Sequence, residues 1–294
     1  MNKIILSLLF AAPYFSRAQN IPVGFSTIFH DKDQYFVTSP LSAHYSNPGS
    51  VGVWNSFSAS VYSRIGTQED MFHSSNLIQL EGNHTFSNDN KIGIGLNANT
   101  SFFRFSSLSS YSGIGIPINY QFGSKEISFS FGIEPGMDAW ASMNDVPGSA
   151  ITLNPYAKVG GLFRHSHFYI GYSLDSRFGS DIQLGGIFDF EKAQSITTLR
   201  HTFTGSSFED ILSTDYIEFI SSVKLLKNNI SLGAGFRYVS LLNRKKQALL
   251  VLGYEFEKWK FSYNLQITDH EHFSGTQFGH QFGVLYSIPQ IGLK

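Results

Sequence analysis

Two neighbouring segments near the C-terminus decide the fold that the sequence predicts. Residues 247–268, QALLVLGYEFEKWKFSYNLQIT, alternate between apolar and polar side chains on both sides of the tight turn Glu257-Lys258. A period of two is typical of β-strands that have one apolar and one polar face. The apolar faces comprise Ala248, Leu250, Leu252, Tyr254 and Phe256 in the first segment and Trp259, Phe261, Tyr263, Leu265 and Ile267 in the second.

The surrounding stretch Asn229–Ile288 favours an outer-membrane barrel over a soluble sandwich, which would show the same alternation. Tight turns at 228–229 and 257–258 alternate with the longer polar segments Leu241–Lys246 and Asp269–Thr276. Short turns at one end and long loops at the other are typical of transmembrane β-barrels. Aromatic residues that crowd one turn also indicate a girdle at a membrane interface. They are Tyr254, Phe256, Trp259, Phe261 and Tyr286.

Composition and charge narrow the class of protein. The chain has 294 residues, no cysteine, 15% aromatic residues, 15% charged residues and a formal charge of −1. Beyond residues 1–18 no apolar run approaches the ~20 residues of a spanning helix, so a mature chain that spans a membrane would have to close into a barrel. Nothing in this charge balance suggests nucleic acid as a partner, which requires a basic surface. The lack of cysteine excludes disulfides and thiolate metal sites.

The N-terminus predicts export. Residues 1–18 combine a short basic start, an apolar core at Ile4–Phe15 and the small-x-small site Ser16-Arg17-Ala18, which is the pattern of a cleavable signal peptide. The alternative is a single membrane anchor, although the apolar run is shorter than the ~20 residues that such an anchor needs. Cleavage after Ala18 would remove two basic residues and no acid, and would leave a formal charge of −3.

We predict about 14 antiparallel strands between residues 51 and 288, a separate N-terminal segment at 19–50 and a tail at 289–294. An even number of strands places both chain ends on the periplasmic side. The first strand is expected to place Val51, Val53 and Phe57 on its lipid face. Pro155 interrupts the sixth strand and predicts a bulge there. Before residue 229, the predicted strands lie at about 51–65, 75–86, 91–104, 114–122, 127–133, 150–163, 168–174, 181–190, 195–204 and 215–226.

The segment 19–50 lacks strand periodicity and contains three prolines. We expect it either to lie in the lumen or to cap the periplasmic mouth, with a loose leader as the alternative. Gly93, Gly95 and Asn97 on the polar face of the third strand suit a crowded lumen. Three basic residues, Arg64, Arg237 and Lys260, are predicted to point inward. They could set the selectivity of an open channel or pair with lumen acids or with the N-terminal segment; pairing is the favoured interpretation.

No residue set predicts catalysis, a cofactor or a metal centre. The densest run of possible ligands, Asp269-His270-Glu271-His272, could bind zinc or a similar ion. Neighbours along one loop define no coordination geometry, however, and a solvated outer loop is the favoured interpretation. His280 lies on the apolar face of the last strand. It leaves a barrel hydrolase open, because a catalytic triad is recognised by geometry, but no nucleophile elbow or oxyanion motif accompanies it.

Short motifs at both ends of the chain carry a family resemblance. They are Leu252-Gly253-Tyr254, Phe261-Ser262-Tyr263-Asn264 and Gly279-His280-Gln281-Phe282-Gly283-Val284-Leu285-Tyr286 near the C-terminus, and Asn47-Pro48-Gly49-Ser50-Val51-Gly52 near the N-terminus. These motifs resemble the PorP/SprF family of outer-membrane proteins, which is tied to the type IX secretion system of Bacteroidota. The chain departs from the family pattern at Gly279, Gln281 and Asn264, where Ser or Thr, Glu and Asp are usual.

The resemblance implies a non-enzymatic barrel, embedded in outer-membrane lipid, that binds protein partners of the secretion system. Such partners would be secreted surface proteins such as adhesins, bound through their C-terminal domains, and periplasmic components of the machine. The expected contact surfaces are four outer loops, Gly66–Ser74, Gly136–Ser149, Gly205–Thr214 and Asp269–Thr276. Two alternatives from other classes are a transport barrel for a small or hydrophobic solute and a barrel hydrolase.

Overall fold

The computed structural model describes residues 47–68, 71–86, 90–104, 108–124, 126–143, 151–176, 179–203, 215–227, 229–239, 245–270 and 277–289. It contains fifteen strand segments, numbered along the chain. The first eight are β1 (Asn55–Gln68), β2 (Met71–Thr85), β3 (Lys91–Arg104), β4 (Leu108–Gly115), β5 (Ile118–Gly123), β6 (Ile127–Met143), β7 (Ile151–His165) and β8 (Phe168–Asp175). The others are β9 (Gly179–Asp189), β10 (Ala193–Phe203), β11 (Asp215–Leu225), β12 (Ile230–Val239), β13 (Lys245–Phe256), β14 (Trp259–His270) and β15 (Gln277–Pro289).

The strand segments form one closed antiparallel barrel. β1 completes the sheet by pairing with β15, from Phe57 opposite Ile288 to Gly66 opposite Gly279. β4 and β5 both lie between β3 and β6 and are separated only by Ile116-Pro117, so they act as one strand of the barrel. The barrel therefore has 14 strands and the architecture of outer-membrane barrels, which confirms the fold class that the sequence predicts.

Alternate side chains point to opposite faces of the wall, as period-2 alternation requires. On β13 and β14 the apolar Leu250 and Phe261 point outward and are 47% and 45% exposed, whereas Asn264 and Gln266 point inward and are 1% exposed. The outer face is thus the apolar one, which is the reverse of a water-soluble sheet. The interior is filled by polar side chains, so the hydrophobic surface of this protein lies where lipid would cover it.

The connections define two ends of the barrel. The turn end has short connections at 86–90, 124–126, 166–167, 190–192, 226–229 and 257–258, and faces the periplasm by the rule for such barrels. The opposite, loop end has the two longest connections, 144–150 and 204–214. Aromatic rings cluster outside the turn end, where Trp259 and Phe57 lie 5.0 and 6.5 Å from Tyr286 between ring centroids. This cluster agrees with the predicted girdle.

Two of the predicted outer loops are largely strand. In place of a loop at 66–74, β1 runs to Gln68 and β2 begins at Met71; in place of a loop at 136–149, β6 continues to Met143. These extensions are stabilised by backbone pairing between the strands. Outside the lipid a strand needs no apolar face, so the alternation of apolar and polar residues stops although the strands continue. The loop 205–214 lies outside the described residues. So do residues 271–276, while Asp269 and His270 end β14.

The predicted bulge at Pro155 is absent from the described strand, because register between β6 and β7 is continuous and pairs Pro155 with Met137. On the side of β7 that faces β8, the Ala157 N–H donates a hydrogen bond to the Ser176 Oγ, and the Ala157 carbonyl accepts one from the Ser176 N–H. Pro155 lies two residues before Ala157, so the backbone nitrogen that lacks a hydrogen faces the same side as the Ala157 N–H. Because β8 has already ended there, the proline costs no hydrogen bond of the strand ladder. No described residue of β8 or β9 pairs with β7 at 151–155, so β7 has an edge there, and the wall drops sharply from β7 to β8.

The barrel begins later than the sequence predicts. The expected strand at 51–65 starts at Asn55 instead, and Val51 and Val53 are 0% and 1% exposed inside the lumen rather than facing lipid. They belong to the chain that enters the barrel interior before β1. No helix among the described residues is long and apolar enough to cross a membrane.

Candidate functional site in the barrel lumen

The segment Asn47–Trp54, called the plug below, lies inside the barrel. A short 3-10 turn at Pro48–Ser50 lies against β5, β6 and β7. All of its residues are buried, with Asn47 only 1% exposed. Asn47 caps the turn, because its Oδ1 accepts a hydrogen bond from the Gly49 N–H at 2.9 Å. The chain before β1 therefore fills part of the lumen at a height within the barrel wall.

Hydrogen bonds tie the first half of the plug to three different strands. The Asn47 Nδ2 donates to the carbonyl of Gly161 on β7 at 3.0 Å. The carbonyl of Gly49 accepts from the Nδ2 of Asn119 on β5 at 2.9 Å and from the Oγ of Ser130 on β6. These bonds satisfy backbone and amide groups that would otherwise be buried without partners. They also fix the plug in one position relative to the wall.

A buried carboxylate holds the second half of the plug. Glu81 on β2 is 3% exposed, and it accepts hydrogen bonds from the Gly52 N–H and from the Oγ of Ser58, both at 2.7 Å. Asn83 adds a bond from its Nδ2 to the Gly52 carbonyl at 2.6 Å. Gly52 has a φ of +65°, a left-handed conformation that glycine adopts without strain. This residue reverses the chain so that Val53 and Trp54 continue into β1.

Three inward-facing glycines, called the glycine cradle, leave room for the plug backbone. A Cβ at Gly160 would lie 2.1 Å from the Asn47 Oδ1. A Cβ at Gly132 would lie 2.3 Å from the Pro48 carbonyl oxygen, and one at Gly93 would lie 2.2 Å from that of Val51. No real side chain tolerates such distances, so any other residue at these positions would displace the plug. The wall sequence is thus adapted to a segment in the lumen.

Near mid-height the lumen is lined by a polar belt of buried charged and amide side chains. Arg237 on β12 donates from Nε to Glu218 on β11 at 2.9 Å, and Arg200 on β10 lies 2.7 Å from Asp181 on β9. These partners sit on adjacent strands, so the pairs lie along the wall instead of crossing the lumen. The belt further includes Arg64, Gln79, Asn97, Glu134, Lys158, Gln183, Gln247, Gln266 and Gln281, each 4% exposed or less.

Glu134 on β6 is the most enclosed acid of the belt, at 0% exposed. It lies 3.2 Å from the Nζ of Lys158 on β7. Its carboxylate also accepts hydrogen bonds from the hydroxyl of Tyr156 at 2.9 Å and from the Nδ2 of Asn97 at 3.0 Å. Asp175, at the top of β8, approaches the other side of Lys158 at 3.8 Å. A buried charge with this many partners is costly to disturb.

The lumen beside β9 to β13 differs from the side that holds the plug. Its inward positions below the polar belt carry five aliphatic side chains, of which Leu249 is buried and the other four, called the apolar band, are only half-buried. These four are Ile187, Ile196, Ile220 and Val251. Ile187 packs against the buried cluster of Val53, Trp54, Leu162 and Tyr169. The apolar band therefore begins at the edge of the plug and continues along the side of the lumen away from the plug.

The three predicted lumen cations all point inward. Arg64 is 3% exposed, and Arg237 is paired with Glu218 as described above. Lys260 lies at the turn end, 3.3 Å from the Oε1 of Glu255, whose other oxygen contacts Lys224. Pairing with lumen acids is thus seen for Arg237 and Lys260.

The structure divides the family-like residues among three places. Asn47, Pro48 and Gly49 form the plug. Asn264 and Gln281 face each other inside the lumen, and Gly279 also points inward. Tyr263 and His280 lie on the outer face, where the Tyr263 hydroxyl is 2.8 Å from the His280 Nδ1. The C-terminal motif therefore contributes to both faces of the wall and to no single cleft.

The run at Asp269–His272 forms no metal centre among the residues that the structure describes. Asp269 is exposed near the end of β14, His270 ends that strand, and Glu271 and His272 lie outside the described residues. No group of three or more His, Asp or Glu side chains in the described part of the chain is placed to hold a metal ion.

Sequence reasoning missed the glycine cradle and the apolar band. Gly93 was placed correctly on a polar face, but a glycine in a strand does not reveal which distant backbone it accommodates. Val51 and Val53 fit strand alternation by chance, so they were assigned to lipid. A signal for the apolar band was present, since Ile220 interrupts a polar face of β11 and Leu249 and Val251 interrupt that of β13.

Comparison with known proteins places the fold among outer-membrane channels. No protein-family model matches the chain, and no curated protein sequence does. Among solved structures, the monoaromatic hydrocarbon channel CymD matches with a TM-score of 0.57 at 9% identity, over 85% of this chain and 93% of its own. The Pseudomonas putida toluene transporter TodX matches with a TM-score of 0.53 at 11% identity, over 84% and 92% of the two chains. The Ralstonia pickettii toluene transporter TbuX gives 0.53 at 9%, over 84% and 94%.

Proposed function

We propose that this chain is an outer-membrane transport barrel for a small hydrophobic solute, and that the plug must move for solute to pass. The observation that carries the proposal is the plug itself, seated in a glycine cradle that excludes every other residue. The similarity of fold to transporters of toluene and other monoaromatic hydrocarbons supports the choice of solute class. At about 10% identity the likeness concerns the fold, so the solute belongs to the proposal.

The attachment of the plug suits a movable element. It precedes β1 and is held by a few side-chain hydrogen bonds, such as the one that Asn119 donates and the one that Glu81 accepts, instead of by a strand ladder. Each such bond contributes on the order of 1 kcal/mol. A solute that displaces the plug therefore has to offset a small set of bonds and some apolar burial, while the barrel wall remains intact.

The polar belt leaves a passage compatible with an apolar solute. Its ion pairs join neighbouring strands, as Arg200 does with Asp181, so the charges satisfy one another along the wall. A solute that passes the belt does not have to separate them. Removal of the plug would thus leave these ion pairs intact, while the buried Glu81 carboxylate would lose the hydrogen bond from the Gly52 N–H and keep the one from Ser58.

Planar-bilayer conductance tests whether the plug closes the lumen. We expect the double variant Gly132→Ala and Gly160→Ala to conduct more than the parent, because both new methyl groups overlap plug atoms. Gly161→Ala is the matched control, since a Cβ there would meet its nearest atom at 3.5 Å, in Phe131. Heat-modifiable gel mobility should show all three barrels folded.

Uptake of radiolabelled toluene by cells that display each variant tests the solute. The double variant should take up toluene faster, and the control variant should match the parent. Equal conductance and equal uptake in all three proteins would contradict the proposal that the plug gates transport.

A second candidate function is partner binding for the type IX secretion system, in line with the family-like motifs. The specific observation that favours it is the tall loop-end wall of β1 to β7. There the outward side chains of Ile151 and Leu153 are 68% and 60% exposed beside the unpaired edge of β7. A partner strand could pair with such an edge.

Surface labelling of secreted proteins tests this function: trimming residues 144–150 or 271–276 should reduce display while the barrel stays inserted. Unchanged display would remove this candidate.

A further inference from the structure

The apolar band extends over β9 to β13, with the glycines of β12 between Ile220 and Val251. Ile187 lies directly opposite Ile196 in the pairing of β9 with β10. Ile220 lies opposite Thr198, which places it diagonally from Ile196 and within side-chain reach. Val251 is paired with Gly233, which presents no side chain across from it. The four aliphatic groups remain only half-buried.

Charges bound the apolar band above and below and already have partners. Above it, Arg200 is bonded to Asp181. Below it, at the turn end, Glu255 lies between Lys224 and Lys260. The inward positions between these two levels on β9 to β13 carry glycine, serine, threonine and aliphatic residues, with no charge among those the structure describes. A charged ligand would therefore find no counter-ion beside the band, whereas an uncharged apolar one would lose no polar contact there.

One end of the apolar band touches the plug. Ile187 packs against the cluster that contains Val53 and Trp54. Trp54 meets the ring of Tyr169 edge-on at 5.6 Å, and the Arg164 guanidinium lies over its face at 5.5 Å. A molecule on the band would thus lie next to the tryptophan that joins the plug to β1. Contact at this point would link occupancy of the lumen to the position of the plug.

We propose that the apolar band is a binding site for a small uncharged apolar molecule, which contacts the Trp54 cluster when bound. Burial of half-exposed aliphatic surface provides the driving force, in proportion to the apolar area removed from water. The inference rests on the proposed transport function and deepens it, because it names where in the lumen the solute is held. The site would favour uncharged solutes because the described inward positions around the band offer a charged ligand no counter-ion.

Heavy-atom quenching of Trp54 emission tests this site in the full chain. Trp140→Phe and Trp259→Phe leave Trp54 as the only tryptophan, and bromobenzene is the probe. We expect saturable quenching, with a midpoint raised about fourfold by Val251→Thr, which replaces one methyl group, and by more than that by Ile220→Thr, which replaces an ethyl group. Val223→Thr is the matched control on β11: its side chain points to lipid and is 41% exposed, so the midpoint should not change. The charged analogue 4-bromobenzoate should quench far less.

Three results would overturn the inference. Quenching that rises linearly without saturation would show simple partition of bromobenzene. A midpoint unaffected by both threonine variants would place binding elsewhere, and equal quenching by 4-bromobenzoate would contradict the specificity. The transport proposal fails separately: if bromobenzene binds as expected but the glycine-cradle variants take up toluene like the parent, the site stands and plug gating does not. If the glycine-cradle variants take up toluene faster while the threonine variants leave the quenching midpoint unchanged, plug gating stands and the binding site does not.

Discussion

The two sides of the lumen are built differently within one closed wall. Beside β1 to β8 the space is filled: the plug lies in the glycine cradle, and Glu134 is fully buried among its partners. Beside β9 to β13 the four side chains of the apolar band are half-buried, although Leu249 is buried, and the charges at the rim remain partly accessible. The backbone is equally regular on both sides, so the contrast comes from the side chains and from one short segment of the chain.

The contrast shows that closing a barrel and filling it are separate tasks. The ladder between β1 and β15 closes the wall on backbone hydrogen bonds alone. Filling depends on particular residues, such as Gly160 for the plug and Glu81 for its second half. The same substitution should therefore have unequal effects on the two sides, and urea unfolding in lipid vesicles can measure the difference.

The largest expected effect is the loss of the buried acid on the filled side. Glu134→Ala should lower the free energy of unfolding by about 3–5 kcal/mol, since it leaves the Lys158 ammonium in a buried site without its nearest carboxylate. Urea titration followed by gel mobility measures the change. A loss below ~1 kcal/mol, the usual value for an exposed pair, would mean that this side is as wet as the other.

The next effect separates the faces of the wall on the open side. Leu250→Arg should cost about 2–4 kcal/mol, because this side chain faces lipid near the middle of β13. Val251→Lys, one residue on, places its charge in the lumen and should cost much less. Unfolding in vesicles compares the two variants. Equal costs would mean that the lumen beside β13 is closed to water.

A third comparison makes one substitution on each side. Val53→Ala removes buried methyl groups from a residue 1% exposed and should cost about 1.5–2 kcal/mol. Val251→Ala removes the same groups from a half-buried position and should cost about 0.5 kcal/mol or less. Equal losses, measured by the same urea titration, would indicate that the apolar band is fully packed in the protein.

The smallest effect belongs to the rim. Glu255→Gln removes the carboxylate between Lys224 and Lys260, whose side chains are 23% and 32% exposed. Solvent screens such pairs, so the free energy of unfolding should change by less than about 1 kcal/mol. Raising the salt concentration should leave the variant unaffected and weaken the parent slightly. A loss comparable with that of Glu134→Ala would erase the difference between the two sides.

The sequence predicted the wall, the inward-facing cations and a segment before the first strand that lies in the lumen or caps its mouth, but not how that segment is held. Lipid requires an apolar residue at every second position, so strands such as 247–256 and 259–268 can be recognised from their local sequence alone. Where the strands leave the lipid this pressure ends, and β1 and β2 continue through residues that had been predicted as a loop. The bulge predicted at Pro155 is wrong for a related reason. Whether a proline disrupts pairing depends on the neighbouring strand, and β8 ends before it reaches Pro155.

The candidate site was out of reach because its contacts are distant in sequence. Asn47 meets Gly161 across 114 residues, and Asn119 meets Gly49 across 70. Such contacts leave no periodic trace, and Val51 and Val53 even imitate a lipid-facing strand. Inward orientation of Arg237 and Lys260 was accessible from alternation, whereas their partners, Glu218 and Glu255, required the register of the finished sheet.

The pairing of the first strand with the last has a consequence for assembly. The seam between β1 and β15 joins residues more than 200 positions apart, so it cannot form until the end of the chain has been delivered. The plug is attached directly to the first edge of this seam. Threading it through a finished wall would be obstructed by the neighbouring strands, whereas an open seam admits it from the side. An assembly in which the plug lies against the wall before β15 pairs with β1 therefore needs no threading step.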